Sequence, residues 1–298
     1  MSYNQNQPCV CALGFFDGVH KAHAALLKKA REKADELGIP LTVFTFSSLP
    51  TKDKAKARLL TQAEREELLL SLGVDRIYTV DFSDVCNMSA REFVQEILVG
   101  RLDTRVAFSG EDFKFGKGGV TDASELRTLM RELGRDALTI KEVSIDGRKI
   151  SSSDIKALIA KGDVKGASTL LSRPYFVSGT VEHGRRVGRR LGYPTLNTAF
   201  SEGKLIPKRG VYKSSVYCDG KAYRAITNVG TCPTFDEREL HAESFLLDEC
   251  GELYGREVKV YFLDFIRDEM KFESADALSR QITEDVNKIK DTFSETEI

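Results

Sequence analysis

The feature that most constrains this chain is a change of sequence pattern near Pro174. Before it, short apolar runs alternate with amphipathic stretches, which predicts parallel strands joined by crossover helices. After it, short runs of alternating apolar and polar residues are separated by turn residues, which predicts an antiparallel barrel or sandwich. We therefore expect an α/β domain over residues 1–172 and a β domain over residues 173–298.

The first part of the chain predicts the order β-α-β-α-β-α-β-α-β. Two of its helices begin at capping boxes, Thr61 to Glu64 and Ser89 to Glu92, in which a hydroxyl and a carboxylate satisfy each other's backbone donors. At the other end, apolar residues recur at steps of three and four between Phe272 and Phe293. That spacing predicts one amphipathic helix that closes the second domain.

Composition narrows the classes of protein. A formal net charge of -1 opposes a protein whose main task is to cover nucleic-acid backbone, so we expect no nucleic-acid partner. No run approaches the roughly 18 apolar residues of a membrane span, and the first residues do not have the pattern of an export signal. The six cysteines contain no CxxC pair, which favours reduced thiols and a cytoplasmic location. No protein partner is visible in the sequence.

The segment GFFDGVHKAH, from Gly14 to His23, follows the first predicted strand and opens its helix. A helix N-terminus there offers free N–H groups to a phosphate at the carboxyl ends of the strands. His20 and His23 share one face of the first turn, so both imidazoles can donate to a phosphoryl group as its charge builds. The alternative is that His23 packs on the stripe of Leu26 and the glycines only make a turn.

Three further segments have a chemical and a plain structural interpretation. Gly110 to Gly118 mixes aromatic and basic residues. This segment can form a wall for a ring and a phosphate, or it can be an ordinary loop whose aromatics belong to the core. Ser151 to Ser153 opens a helix and can be only an N-cap. Gly179 to Asn197 interleaves four arginines with glycines. This segment can bind phosphate through its backbone and guanidinium groups, or it can be a basic hairpin in solvent.

Taken together, these segments resemble the bacterial bifunctional riboflavin kinase/FAD synthetase family. GFFDGVHKAH resembles G-N-F-D-G-V-H-x-G-H, and GEDFKFGKG and ISSSDIK resemble the next two blocks of its adenylyltransferase half. GTVEHGRRVGRRLGYPTLN resembles the kinase pattern, and GVY, NVGTCPTF, HAESFLL and LYGREV follow in the expected order. The resemblance implies an N-terminal Rossmann-like nucleotidyltransferase domain and a C-terminal riboflavin kinase barrel.

The resemblance also implies roles for individual residues. In the first domain His20 and His23 would be catalytic, and Phe113 and Phe115 would contact flavin. Residues that would bind ATP or its phosphates are Gly14, Asp17, Gly18, Ser152, Ser153, Lys156, Gly184, Arg189 and Gly192.

In the second domain the resemblance implies that Thr195 and Asn197 hold Mg²⁺ with the ATP phosphates, and that Glu243 accepts the proton of the riboflavin 5′-hydroxyl. Tyr212, in the GVY block, would contact flavin. The chain would then phosphorylate riboflavin to FMN and adenylylate FMN to FAD, with ATP, riboflavin and FMN as its small-molecule substrates and Mg²⁺ as cofactor.

The first site departs from the family pattern. Phe15 replaces Asn, Ala22 replaces Gly, Ser153 replaces Thr and Lys156 replaces Arg. A lysine cannot grip a phosphate bidentately, so these departures predict a weakened adenylyltransferase site. Two alternatives therefore stay open: a riboflavin kinase with a degenerate first domain, and a non-catalytic flavin- or nucleotide-binding regulator.

Overall fold

A computed structural model describes residues 7–47, 57–141, 144–145, 147–182, 195–231 and 240–294. The chain divides into two compact units. The first comprises residues 1–56 and 60–152, and the second comprises residues 57–59 and 153–298. The domain boundary after residue 172, expected from the sequence pattern, stays a prediction.

The first unit is built on a parallel sheet. Its strands are β1 (Cys9–Leu13), β2 (Leu41–Phe46), β3 (Arg76–Val80), β4 (Thr104–Gly110) and β5 (Asp136–Ile140). They are ordered β3-β2-β1-β4-β5, and every neighbouring pair is parallel. A short antiparallel pair follows, β6 (Ser144–Ile145) with β7 (Arg148–Lys149).

Helices connect the strands in the predicted order, which is therefore confirmed. They are α1 (Lys21–Leu37), α2 (Gln62–Ser71), α3 (Phe82–Val85), α4 (Ala90–Glu92), which continues as a π-helix over Phe93–Arg101, and α5 (Ala123–Glu132). Both predicted capping boxes are present, at Thr61 and at Ser89. α1 ends at Gly38, whose φ of 64° is left-handed and costs glycine little.

One apolar core lies on a face of this sheet. It joins Cys11 and Leu13 of β1 and Phe44 of β2 to the π-helical segment and to α5, and each of these three strand residues is at most 2% exposed. The core fixes the positions of the strands' carboxyl ends because their buried side chains leave no freedom to slide by one residue.

The second unit is a closed antiparallel barrel. Helices α6 (Ser152–Lys161) and α7 (Val164–Leu171) precede it. Its strands are β8 (Tyr175–Glu182), β9 (Thr195–Ala199), β10 (Gly210–Cys218), β11 (Lys221–Thr231), β12 (Leu240–Leu246) and β13 (Glu257–Arg267). They close in the order β10-β11-β12-β9-β8-β13, and the terminal helix α8 (Ala275–Ile289) follows them as predicted.

The two faces of the barrel differ in character. Hydroxyls of Ser214, Thr227 and Ser244 form a buried chain inside, with O···O distances of 2.6 Å and 2.8 Å. Alternate residues face outward, and an apolar group of them packs against α8. The residues of this outer cluster are Val211, Ile226, Phe245, Ile282, Val286 and Ile289.

A buried ion pair ties α8 to the barrel. Asp285, 1% exposed at its side chain, accepts from Arg267 at 2.7 Å and 2.8 Å and from Gln281 at 3.1 Å. Breaking such a pair leaves a buried charge uncompensated, which costs about 3–5 kcal/mol. Asp264 makes a comparable but exposed pair with Lys165 at 2.7 Å.

We therefore expect Asp285→Ala to lower the free energy of unfolding of the second unit by about 3–5 kcal/mol in urea titrations. Asp264→Ala should change it by less than about 1 kcal/mol, because solvent already screens that pair. Equal effects of the two substitutions would show that the Asp285 pair is not buried in solution.

Candidate functional site

A cavity of about 350 Å³ opens at the carboxyl ends of the parallel strands. Leu13 ends β1, Phe46 ends β2, Gly110 ends β4 and Ile140 ends β5, and all four line it. The chain runs outward from β1 through β2 to β3 and then returns to β4 on the other side of β1. Such a switch in strand order leaves a crevice in which α/β proteins bind ligands.

The loop between β1 and α1 has an unusual backbone. Phe16 and Val19 have φ values of 56° and 43°, and Gly18 between them has 87°. Left-handed conformations of non-glycine residues cost of order 1–3 kcal/mol and concentrate at functional sites. This turn places the start of α1 at the cavity. Gly14 also lines the cavity, and a Cβ on it would come within 3.1 Å of the Phe16 ring.

The two histidines lie together at the start of α1. Their rings stack with centroids 3.6 Å apart and planes 17° apart, and the ring of Phe16 lies 5.1 Å from that of His23. His20 is 5% exposed and is the N-cap residue of α1, without a side-chain bond to the helix backbone. Both rings line the cavity, so the predicted pair is brought to one place beside a helix N-terminus.

A buried arginine that the sequence did not single out supports this loop. Arg65 of α2 is 2% exposed and donates to the carbonyl of Phe15 at 3.2 Å and to that of Phe46 at 2.6 Å. Its guanidinium also lies 4.6 Å from the centre of the Phe15 ring. Phe15, which departs from the family pattern, is thus one face of a cation–π contact. Nothing in the local sequence marks Arg65, because it lies in a charged helical stretch.

The opposite wall of the cavity comes from later segments. Phe113 lines it, whereas Phe115 is 7% exposed, belongs to the apolar core and stacks on Phe113 at 5.7 Å. Ser152, at the start of α6, donates to the carbonyl of Asp17 at 2.7 Å and also lines the cavity. Lys149 also lines the cavity and forms an ion pair at 3.0 Å with Asp112, in the loop after β4.

The cavity thus collects part of the predicted phosphate- and flavin-binding set. Five predicted residues line it: Gly14, His20, His23, Phe113 and Ser152. Asp17, Gly18 and Phe115 lie in the first unit but not on its lining, while Ser153 and Lys156 belong to the second unit. The predicted residues Gly184, Arg189 and Gly192 lie outside the described residues.

A polar row crosses the outer face of the barrel. Glu182 of β8 lies opposite Asn197 of β9, Asn197 lies opposite Glu243 of β12, and Glu243 lies opposite Asn228 of β11. Directly opposed residues of antiparallel strands project to the same face, with Cβ atoms about 4.5–5.5 Å apart. The predicted base and one predicted metal ligand are therefore neighbours, although 46 positions separate them in the sequence.

Asn197 has the character of a metal ligand. It is 2% exposed, and within the described ranges its Oδ1 atom is buried without a hydrogen-bond donor. Thr195, two residues earlier on the same face, is 7% exposed. Two buried neutral oxygens fit a hard cation that is held chiefly by substrate phosphates. Among the described residues no group of three or more His, Cys, Asp or Glu side chains is arranged around a metal position.

Glu243 lies on β12, two residues before Phe245 of the apolar cluster under α8. It is half-buried, and its neighbour Phe245 on the same face packs in that cluster, as the alternation of the strand predicts. Desolvation by burial raises the pKa of Glu243 above its ordinary value of 4.5. A carboxylate with a raised pKa is a stronger proton acceptor than a solvated one.

Tyr212 is not brought to this row. It pairs with Thr227, one position out of step with the Asn228–Glu243 pair, so its side chain faces the barrel interior. It is 0% exposed, donates to the carbonyl of Lys208 at 2.5 Å and packs against Phe262. Burial raises its pKa. The structure gives its predicted flavin contact no support.

A parallel α/β unit with a phosphate-type crevice, followed by a β-barrel with an outer polar row, defines a two-domain nucleotide-dependent transferase. Residues 2–154 match the FAD synthetase family, and residues 171–293 match the riboflavin kinase family. The chain belongs to the bifunctional riboflavin kinase/FMN adenylyltransferase family, as its sequence motifs predicted.

Individual relatives extend over the whole chain. The bifunctional riboflavin kinase/FMN adenylyltransferase of Pseudomonas fluorescens is 36% identical, over 95% of this chain and 92% of its own. That of Bacillus subtilis (strain 168) is 34% identical over 96% and 92%. A crystal structure from Streptococcus pneumoniae, described as a macrolide-efflux protein, superposes with a TM-score of 0.87 at 32% identity and covers 98% of this chain and 97% of its own. None of the described helices of this chain is both long and apolar enough to cross a bilayer.

The Arg65 contacts predict a positioning role. We expect Arg65→Lys to raise the KM for ATP in FAD formation at least about tenfold, because a lysine keeps the charge but cannot hold two carbonyls and a ring together. Steady-state assays with supplied FMN measure this effect. Arg131→Lys is the control, since the exposed guanidinium of Arg131 pairs with Asp136 away from the cavity. An unchanged KM in the Arg65 variant would contradict the role.

Proposed function

We propose that the chain makes FMN in its second unit and FAD in its first, with the residues that the geometry collects at each site. The observation that carries the proposal is the direct pairing of Glu243 with Asn197, which supports a proton acceptor next to a buried metal ligand. The stacked His20 and His23 beside a helix N-terminus support the second activity in the same way.

In the proposed kinase reaction the terminal hydroxyl of riboflavin attacks the γ-phosphorus of ATP. Glu243 takes the hydroxyl proton as the new P–O bond forms, and the bond between the γ-phosphorus and the bridging oxygen breaks to release ADP. Desolvation by burial raises the pKa of Glu243, so this carboxylate accepts the proton more readily than a solvated glutamate would.

In the proposed adenylyl transfer a phosphate oxygen of FMN attacks the α-phosphorus of ATP. The bond from the α-phosphorus to the bridging oxygen breaks, and pyrophosphate leaves. His20 and His23 are placed to donate to the phosphoryl oxygens, and the N-terminus of α1 adds the partial positive charge of its helix dipole. Ser152 holds the loop carbonyl of Asp17 and so keeps this wall in place.

Kinases and adenylyltransferases that use ATP work with a divalent metal, and we propose Mg²⁺ here. A bound cation would supply positive charge against the negative charge that develops on the transferred phosphoryl group. Asn197 and Thr195 would hold it in the second unit, because their oxygens are buried on the same face as Glu243. We also propose a cytoplasmic location, supported by five described cysteines that are all free thiols.

The departures in the first site bear on the rate of FAD formation. Ala22 lines the cavity, so its methyl lies where the family pattern has bare backbone, and Phe15 packs on Arg65 instead of presenting a carboxamide. We propose that the first site is active and slowed by these changes.

Replacement of both histidines tests this activity. His20→Gln with His23→Gln should lower FAD formation from supplied FMN and ATP by at least about 10²–10³, because it removes two donors to the phosphoryl oxygens. Chromatography of flavins measures it. Lys28→Gln, an exposed substitution on the same helix, should have no effect. If the unmodified chain forms FMN but no FAD, the kinase-only alternative is correct, and if it forms neither, the regulator is.

Replacement of Glu243 tests the kinase. Glu243→Gln should lower FMN formation by about 10²–10⁴ while riboflavin still binds, and Glu249→Gln, exposed just beyond β12, should not. In the unmodified chain kcat/KM should fall with decreasing pH through a pKa above 4.5, because the raised pKa protonates the base earlier than in a solvated glutamate. Near-normal turnover of the Gln variant would remove Glu243 from the mechanism.

A further inference from the structure

Glu182 is a carboxylate to which neither the motifs nor the proposed reaction gives a task. It is the last residue of β8 and lies directly opposite Asn197, on the side away from Glu243. Asn197 therefore lies between two carboxylates on one face of the barrel, with neighbouring Cβ atoms about 4.5–5.5 Å apart. The reach of a glutamate side chain covers that distance.

The amide between the carboxylates has an open acceptor. Asn197 is 2% exposed, and its Oδ1 atom is buried without a donor within the described ranges. A buried acceptor without a partner costs about 1–3 kcal/mol, so the site is built for something that satisfies it. Among the residues that the structure describes, the Glu182 side chain has no hydrogen-bond or ion-pair partner. A cation satisfies both groups at once, whereas a neutral donor would leave the carboxylate uncompensated.

The chemistry of these groups selects the class of cation. An amide oxygen, a carboxylate and the hydroxyl of Thr195 are hard oxygen donors, which suit Mg²⁺ or Mn²⁺ and do not suit soft metals. The carboxylate adds the negative charge that the two neutral oxygens lack. It also leaves Glu243, on the other side of Asn197, available as a proton acceptor.

We propose that Glu182 is a third protein ligand of the divalent cation in the kinase site, and that it lets the barrel bind this cation before nucleotide arrives. The proposal rests on the kinase function proposed above, because it concerns the same site. It makes a separate statement about binding, since a cation held only through ATP phosphates would not bind the free protein measurably.

The test is Mn²⁺ binding to the full chain without nucleotide, followed by the loss of the free-ion signal in electron paramagnetic resonance. The unmodified protein should bind Mn²⁺, and added Mg²⁺ should displace it. Glu182→Gln keeps the size and removes the charge, and it should weaken Mn²⁺ binding at least about tenfold. Glu202→Gln is the control, because Glu202 is exposed in the turn after β9 and should leave the affinity unchanged.

Two results would overturn the proposal: no Mn²⁺ binding by the unmodified chain without nucleotide, or equal affinities of the Glu182→Gln and unmodified proteins. Glu182→Asp guards against misfolding, since it keeps the charge and should restore part of the affinity. Assays of FMN formation at saturating Mg²⁺ test the kinase function independently of the cation site. If they fail in the unmodified chain while Mn²⁺ binds through Glu182, the kinase function is wrong and the cation site stands.

Discussion

Strand register is the constraint on which both sites depend. In the first unit, Val10 of β1 is paired with Leu41 of β2 and with Val106 of β4, and this fixes where the strands end. In the barrel, Asn197 is paired with Glu243, and this fixes which side chains share the outer face. A slip of one residue would turn every side chain of a strand to the opposite face. The apolar core and the cluster under α8 prevent that slip, so packing holds the chemical groups in place.

Both sites bury polar side chains, and the energetic cost of that burial is offset differently in each. In the first, Arg65 is buried but donates to two backbone carbonyls and lies against the Phe15 ring. In the second, Asn197 is buried, and desolvation by burial raises the pKa of Glu243. The first arrangement stabilises a loop in a conformation that φ values above zero make costly. The second leaves the buried Oδ1 atom of Asn197 without a donor among the described residues.

The structure also gives the departure at Phe15 a physical meaning. In the sequence, an aromatic at this position replaces the carboxamide of the family pattern in a loop that is predicted to bind phosphate. In the fold, its ring covers a buried guanidinium that holds the same loop by its carbonyl. In place of the carboxamide of the family pattern, this residue makes a contact that supports the loop.

The sequence by itself determined the order of elements, the two capping boxes, the closing helix and the loops that are proposed to carry chemistry, because these depend on local periodicity and on neighbouring residues. It also determined the family, since the motifs extend along both units. Only the tertiary structure decided that Phe115 and Tyr212 face packed interiors, that Arg65 supports the first loop, and that Glu182 stands beside Asn197. These facts depend on strand register and on contacts between residues far apart in the chain, and alternation along one strand does not specify which face its partner strand will share.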